Sequence, residues 1–436
     1  MNVTRKDIFK SLVLLSVPTV IEHIMSTLMQ YVDTAMVGRL GEEATAAVST
    51  TTTVNWLVST IPFAISTGTL ALIARANGEG DEERMRRYAG LSAMLSLVIG
   101  SVVTVTCLLL SPHIPVWMGA EVTVQGPAAA YFFIVSLSLV FRTFGYVFGS
   151  AIRAVKDTRT PMRINLCANI LNVILNYLLI YRLGLHVRGA AIATAVSYSL
   201  AGIVMIFAAR RKSALRFTAR DLRPDMASLK QYTEISLPAL GTGVASCLGY
   251  VFFASMVSHM GTTVFAAHSI AVTAEELFYI PGYGFRTATS SLIGNAVGER
   301  NARKLKITEH LSIAITLLMM FASGVVLYIT SSFLMKLFTP VEAVQTLGAS
   351  MLRLIAFTEP FFGLMIVLEG IFYGKGKTRG VFFVETGSMW LVRILFTFLG
   401  TTFRGFTLRE VWYCMIADNV CKALLLLVVY LRDRKD

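Results

Sequence analysis

Met36-Val37-Gly38-Arg39-Leu40-Gly41-Glu42-Glu43-Ala44-Thr45-Ala46-Ala47-Val48-Ser49 has a counterpart 220 residues later in Met256-Val257-Ser258-His259-Met260-Gly261-Thr262-Thr263-Val264-Phe265-Ala266-Ala267-His268-Ser269. Met, Val, Gly, Ala, Ala and Ser recur in place. The same offset carries outward without gaps. Ser16 and Pro18 fall on Ser236 and Pro238, Ala76, Gly78 and Glu79 on Ala296, Gly298 and Glu299, and Thr158-Arg159 on Thr378-Arg379. Apolar matches arise by chance, but Pro, Gly and charged residues at one constant offset mark an internal duplication.

The surroundings of the repeat are apolar. Of 436 residues, 55% are hydrophobic and 15% charged, and the mean hydropathy is +0.65. Soluble domains carry about 25% charged residues, so too little charge is present here to cover a water-facing surface. Lipid must solvate most of it, which excludes a soluble enzyme, a nucleic-acid module and a disordered scaffold. A crossing helix needs about 20 apolar residues. Twelve such runs are found, at 11–36, 46–74, 88–110, 124–151, 161–181, 187–208, 232–258, 264–297, 308–332, 344–373, 380–400 and 408–431. Met1–Gln30 has the basic start of a signal peptide but no small-residue cleavage site, so it is read as the first span. The five cysteines lie inside apolar stretches and are read as core residues.

The charge distribution supports an even span count. The two termini and the loops after even-numbered spans, helix-end residues included, hold 28 of the 39 Lys and Arg, and the loops after odd-numbered spans hold 6. The positive-inside rule then places both termini in the cytoplasm of a multi-pass cell-membrane protein. The net charge of +13 follows from this topology and calls for no nucleic-acid partner. Each repeat has six spans and inserts in the same orientation. The expected fold is therefore all-α, with two pseudo-symmetric six-helix bundles related by an axis along the membrane normal. The expected lobes are 1–209 and 231–436, joined by a basic linker at 210–230. Rocking one bundle against the other gives alternating access, which points to a carrier.

Ionisable and amide groups in such spans need a reason. Asp33 lies near the outer end of span 1, beside Gln30. Asn165, Asn169, Asn172 and Asn176 in span 5 fall within about 60° of one helix face. Interhelical amide contacts supply about 0.6 and at most about 2 kcal/mol each, and four in a row point to a water- or ligand-facing stripe. Asp33, Asn172, Asn176 and Thr194 of span 6 share a depth. One carboxylate with amide and hydroxyl oxygens can hold a monovalent cation or a proton. In the second bundle, Glu275 and Glu276 precede Pro281, Gly282 and Gly284. Arg286 shares the face of Glu275 but lies about 16 Å along it, too far to pair. Gln30, Asn165, Asn169, Glu275, Glu276 and Arg286 are the expected substrate contacts. Asp418 and Lys422, four apart, read as a helical ion pair. Arg142, Arg353, Glu359, Glu369, Glu385 and Arg393 have no assignable partners from sequence. Nothing resembles a catalytic cluster or a cofactor fingerprint, so neither an enzyme nor a bound cofactor is expected.

The run Tyr31–Gly41, the segment Gly189-Ala190-Ala191-Ile192-Ala193-Thr194 and the Gly376-Lys377-Thr378-Arg379 loop resemble the multidrug and toxic compound extrusion (MATE) family over essentially the whole chain. The resemblance implies antiport, with Na⁺ or H⁺ entering as amphipathic, often cationic, organic compounds leave. Within the family the chain is most similar to the DinF-like branch. Asp33 matches its span 1 acid, Asn172 its span 5 asparagine, Thr194 its span 6 threonine and Glu275 a span 8 acid. Asn176 stands where that branch commonly has aspartate. With Na⁺ as the coupling ion, Asp33, Asn172, Asn176 and Thr194 would be its ligands. The NorM-like branch carries a span 7 glutamate and a span 10 aspartate. Here Glu234 stands only at the start of span 7, and Glu359 does not align. The resemblance thus puts coupling in the first lobe. A flippase for a lipid-linked saccharide, from the wider superfamily, is the alternative. The expected partners are a small organic molecule and membrane lipid, and the expected state is a monomer.

Overall fold

The computed structural model describes residues 4–434. Helices account for nearly all of them, and no strand occurs among the described residues. The first series is α1 (Arg5–Gly38), α2 (Glu42–Glu79), α3 (Glu82–Leu110), the short α4 (Ile114–Trp117), α5 (Val122–Ser136), α6 (Leu139–Ala154), α7 (Arg159–Asn176) and α8 (His186–Arg210). A π-helical turn, Tyr177–Arg182, extends α7. The second series is α9 (Met226–Ser258), α10 (Thr262–Gly298), α11 (Ala302–Phe338), α12 (Glu342–Ala356), α13 (Glu359–Lys375), α14 (Thr378–Ser388), α15 (Leu395–Phe403) and α16 (Leu408–Asp433). Another π-helical turn, Met389–Ile394, joins α14 to α15.

The duplication is visible in the element boundaries. α2 and α10, α3 and α11, α5 and α12, and α6 and α13 each begin 220 residues apart. The caps repeat too. Asp81 accepts a hydrogen bond from the Arg84 amide and Asn301 one from the Lys304 amide, both at 2.9 Å, so each opens its helix with a side-chain oxygen. Gly41 and Gly261 take φ of 110° and 111°, a region costly to residues with a Cβ.

Among the described residues, nine helical segments are long and apolar enough to cross a bilayer, and two bent pairs bring the count to eleven. The twelfth span is α10, whose 37 residues rise about 55 Å but whose apolar run is interrupted by Glu275, Glu276 and Arg286. The spans read as continuous at 124–151 and 344–373 are in fact broken. α5 meets α6 at 48°, and α12 meets α13 at 56°. At both breaks a hydroxyl folds back onto the preceding turn. Ser138 Oγ donates to Val135 O at 2.7 Å and Thr358 Oγ1 to Ile355 O at 2.8 Å. Back-bonding of this kind bends helices, and Pro360 adds a missing donor at the second break.

The compact units do not follow the expected boundaries at 209 and 231. One takes Ile21–Leu240 with Gly294–Arg300, and the other takes the chain up to Val20, Gly241–Ile293 and everything from Asn301. The cause is packing at the start of the first helix of each repeat. Leu12 and Leu15 of α1 bury against Phe285, Ala288 and Leu292. Tyr232 and Ile235 of α9 join a core with Leu70, Ile73 and Phe148, and Tyr232 Oη donates to Ile65 O at 2.8 Å. Both changes of unit fall two residues after a helix-interior proline, Pro18 and Pro238.

Candidate functional site

The amide stripe of α7 lies along α1. Asn165 Nδ2 donates to Glu22 Oε1 at 2.6 Å, Asn169 Nδ2 donates to Ser26 Oγ at 3.2 Å, and Asn176 Nδ2 donates to Asp33 Oδ1. All three pairs are separated by 143 residues. A constant difference means that the two helices run in the same direction, as an even number of intervening turns of the chain requires.

Asp33, Asn172, Asn176 and Thr194 are brought together as expected. Asn176 is fully buried. Its Nδ2 also reaches Asn172 Oδ1 at 3.2 Å, and Asn172 Nδ2 reaches Thr194 Oγ1 of α8 at 3.4 Å. Tyr131 of α5 lies beside Thr194. The π-helical turn starts at Tyr177, directly after Asn176, and such turns are frequent at functional sites because they break the regular ladder. The set offers one carboxylate and several neutral oxygens, a donor set suited to a monovalent ion. No cluster of three His, Cys, Asp or Glu suited to a metal occurs among the described residues.

Deeper along the same stripe, Glu22 pairs with Arg153 of α6 at 2.5 Å, both largely buried. The sequence reading missed this pair, although Glu22 precedes Asp33 by eleven residues and so shares its helix face. A buried ion pair whose oxygen also takes an amide bond satisfies a charge that lipid would not tolerate. Asn165 is thereby held by Glu22, and Asn169 by Ser26. Gln30 is exposed and joins none of these bonds. Arg142 of α6 stacks 4.9 Å over the Tyr198 ring and 5.8 Å over that of Tyr146.

Glu275, Glu276 and Arg286 belong to the other compact unit. Arg286 Nη1 meets Glu369 Oε2 at 2.7 Å and lies 4.6 Å over the Tyr283 ring. As its rise along α10 demands, it does not pair with Glu275. Glu275 is buried, facing Glu359 and Arg393, and Glu276 is half-buried. The Asp418–Lys422 pair forms at 2.9 Å and is joined by Arg393 Nε at 2.9 Å from the same carboxylate. Arg353 donates to Ser331 and Ser332 at 3.1 and 2.8 Å, and Glu385 reaches Glu369. The Asp418–Lys422 pair is the one read from spacing; the partners of Arg286, Arg353, Glu385 and Arg393 were invisible from it because they lie on other helices.

The MatE family matches residues 18–178 and again 238–399. The chain belongs to the MatE family. The two matched segments begin 220 residues apart, so each repeat is one copy of the family's unit. The chain is 24% identical over 432 residues to a probable multidrug resistance protein NorM of Thermotoga maritima, covering 98% of this chain and 93% of that one. A probable NorM of Photorhabdus laumondii is 27% identical over 445 residues, with 96% and 94% covered. A solved outward-facing conformation of a multidrug resistance MATE family transporter of the MOP superfamily matches with a TM-score of 0.92 at 26% identity, covering 98% of this chain and 96% of that one. The MATE fold of twelve membrane helices therefore extends over 98% of the chain.

Proposed function

We propose that this protein exports amphipathic, often cationic, organic compounds across the cell membrane in exchange for H⁺ or Na⁺, working by alternating access with both termini in the cytoplasm. Relatives named as multidrug resistance proteins support the export of drugs. The observation that carries the coupling proposal is Asp33 held by Asn176 inside a membrane helix pair, next to Asn172 and Thr194. Asp33 supplies the single formal charge of this set. A proton or a monovalent cation neutralises it, and substrate and ion exclude one another there, directly or through helix rearrangement. Such exclusion is a positive, unfavourable coupling free energy between two ligands and is reciprocal. A site that held both at once would leak. The position of Asp33 in the first repeat fits the DinF-like branch.

The test is dye efflux from vesicles under imposed H⁺ and Na⁺ gradients. Wild type is expected to respond to one of the two gradients, and Asp33→Asn to neither. Export by Asp33→Asn at the wild-type rate under either gradient would overturn the assignment.

A further inference from the structure

The basic segment after α8 is folded rather than slack. Leu215 is fully buried in the core that contains Phe148. Phe217 stacks on Phe148 with ring centroids 5.7 Å apart. A Cβ on Gly90 of α3 would lie 2.3 Å from the carbonyl oxygen of Asp221, so the linker backbone is seated directly on α3. Between them lies a cavity of about 1120 Å³.

Its walls are arginine. Arg86 and Arg87 come from the first turns of α3, Arg210 and Arg211 from the end of α8, and Arg216, Arg220 and Arg223 from the linker. Three acids line the same cavity, an excess of four positive charges. Those acids are occupied locally. Asp221 accepts from the Thr218 amide and hydroxyl at 2.7 and 2.8 Å, Asp225 accepts from the Ser228 amide at 2.8 Å, and Glu83 sits 3.7 Å from Arg87. Arg211, Arg216 and Arg223 make no ion pair among the described residues. Guanidinium forks converging on one cavity match the oxygens of phosphate. Leu222 and Met226, next in the chain to the lining residues Asp221, Arg223 and Asp225, are apolar and 37% and 82% exposed.

We infer that this cavity binds the phosphate-bearing headgroup of an anionic phospholipid from the cytoplasmic leaflet, with acyl chains along Leu222 and Met226. Arg210 and Arg211 end a membrane-crossing helix, which sets the cavity at headgroup depth. Basic recesses at that depth recognise such lipids, each cation near the surface strengthening binding about fivefold. The inference rests on the proposed topology for its leaflet and not on Asp33.

The experiment titrates the purified full-length protein in neutral detergent with cardiolipin, phosphatidylcholine and inorganic pyrophosphate, following affinity by thermophoresis. Cardiolipin is expected to bind at least about tenfold tighter than phosphatidylcholine, more weakly as salt rises. Arg211→Gln/Arg216→Gln/Arg220→Gln should lose about a hundredfold, while Arg300→Gln/Arg303→Gln/Lys306→Gln in another basic cluster, at the start of α11, should keep wild-type affinity. If the cavity variant does not remain monodisperse, Arg216→Gln alone carries the test with about a fivefold loss. Equal binding of the two lipids, or wild-type affinity in the cavity variant, overturns the inference. Pyrophosphate binding tighter than cardiolipin overturns the lipid assignment in favour of a soluble phosphate ligand. No ion gradient enters the readout, so this proposal and the coupling proposal fail separately.

Discussion

Asn176 gives one arm of its amide to Asp33 and Asn172, and its Oδ1 is buried with no hydrogen-bond partner. A neutral amide therefore stands where a second acid would crowd the first. Carboxylates placed that close share a proton because both cannot be charged together. An amide donates to a charged Asp33 and can accept from a protonated one, so it serves both states without adding charge. Asn176→Asp should shift the ion preference of dye efflux, measured under separate H⁺ and Na⁺ gradients. An unchanged preference would remove Asn176 from the site. The asparagine row was legible because spacings of four and seven residues put amides on one face, but that Asn165 and Asn169 would bond to α1 was not. Glu22 and Arg153 were not legible as a pair, since the bond depends on how α6 lies against α1. Gln30, expected as a substrate contact, is exposed and takes no part in these bonds.

Helix contacts repeat as faithfully as residues do. A Cβ on Gly78 of α2 would meet Asn295 O at 2.1 Å, and one on Gly298 of α10 would meet Arg75 O at 2.0 Å. Positions 75 and 78 correspond to 295 and 298 under the repeat offset, so the crossing is reciprocal, as in a two-fold interface. The Asn77 side chain donates to Asn295 Oδ1 at 2.5 Å across it. Both obstructing atoms are backbone, which cannot rotate aside. Gly298→Ala should therefore destabilise the fold by about 1–3 kcal/mol, read as a lower melting temperature in detergent, whereas Gly387→Ala, with open space around it, should not. These glycines were visible as part of the duplication, but their role as a crossing was not. The breaks within α5–α6 and α12–α13 and the two π-helical turns also escaped the hydropathy reading, because a bent span is as apolar as a straight one.

Both the duplication and the charge asymmetry were carried by the sequence: the repeat by Pro, Gly and loop charges, and the proposed topology by 28 basic residues against 6. The compact units were not, because their exchange of helix starts arises from contacts of Leu12 and Tyr232 that no local pattern encodes. The proposed topology predicts that, in a cysteine-free background, Gly119→Cys reacts with an impermeant maleimide on intact cells, while Ser213→Cys reacts only after permeabilisation. Labelling of both from outside would refute it. Across the whole transporter, the central claim is that substrate and ion displace each other at one carboxylate. The direct measurement is ion release from the purified protein on addition of a transported dye, read as pH change in weak buffer or as free Na⁺. Wild type is predicted to release about one ion per dye bound, and Asp33→Asn to bind dye and release none. Equal release from both proteins would contradict the account.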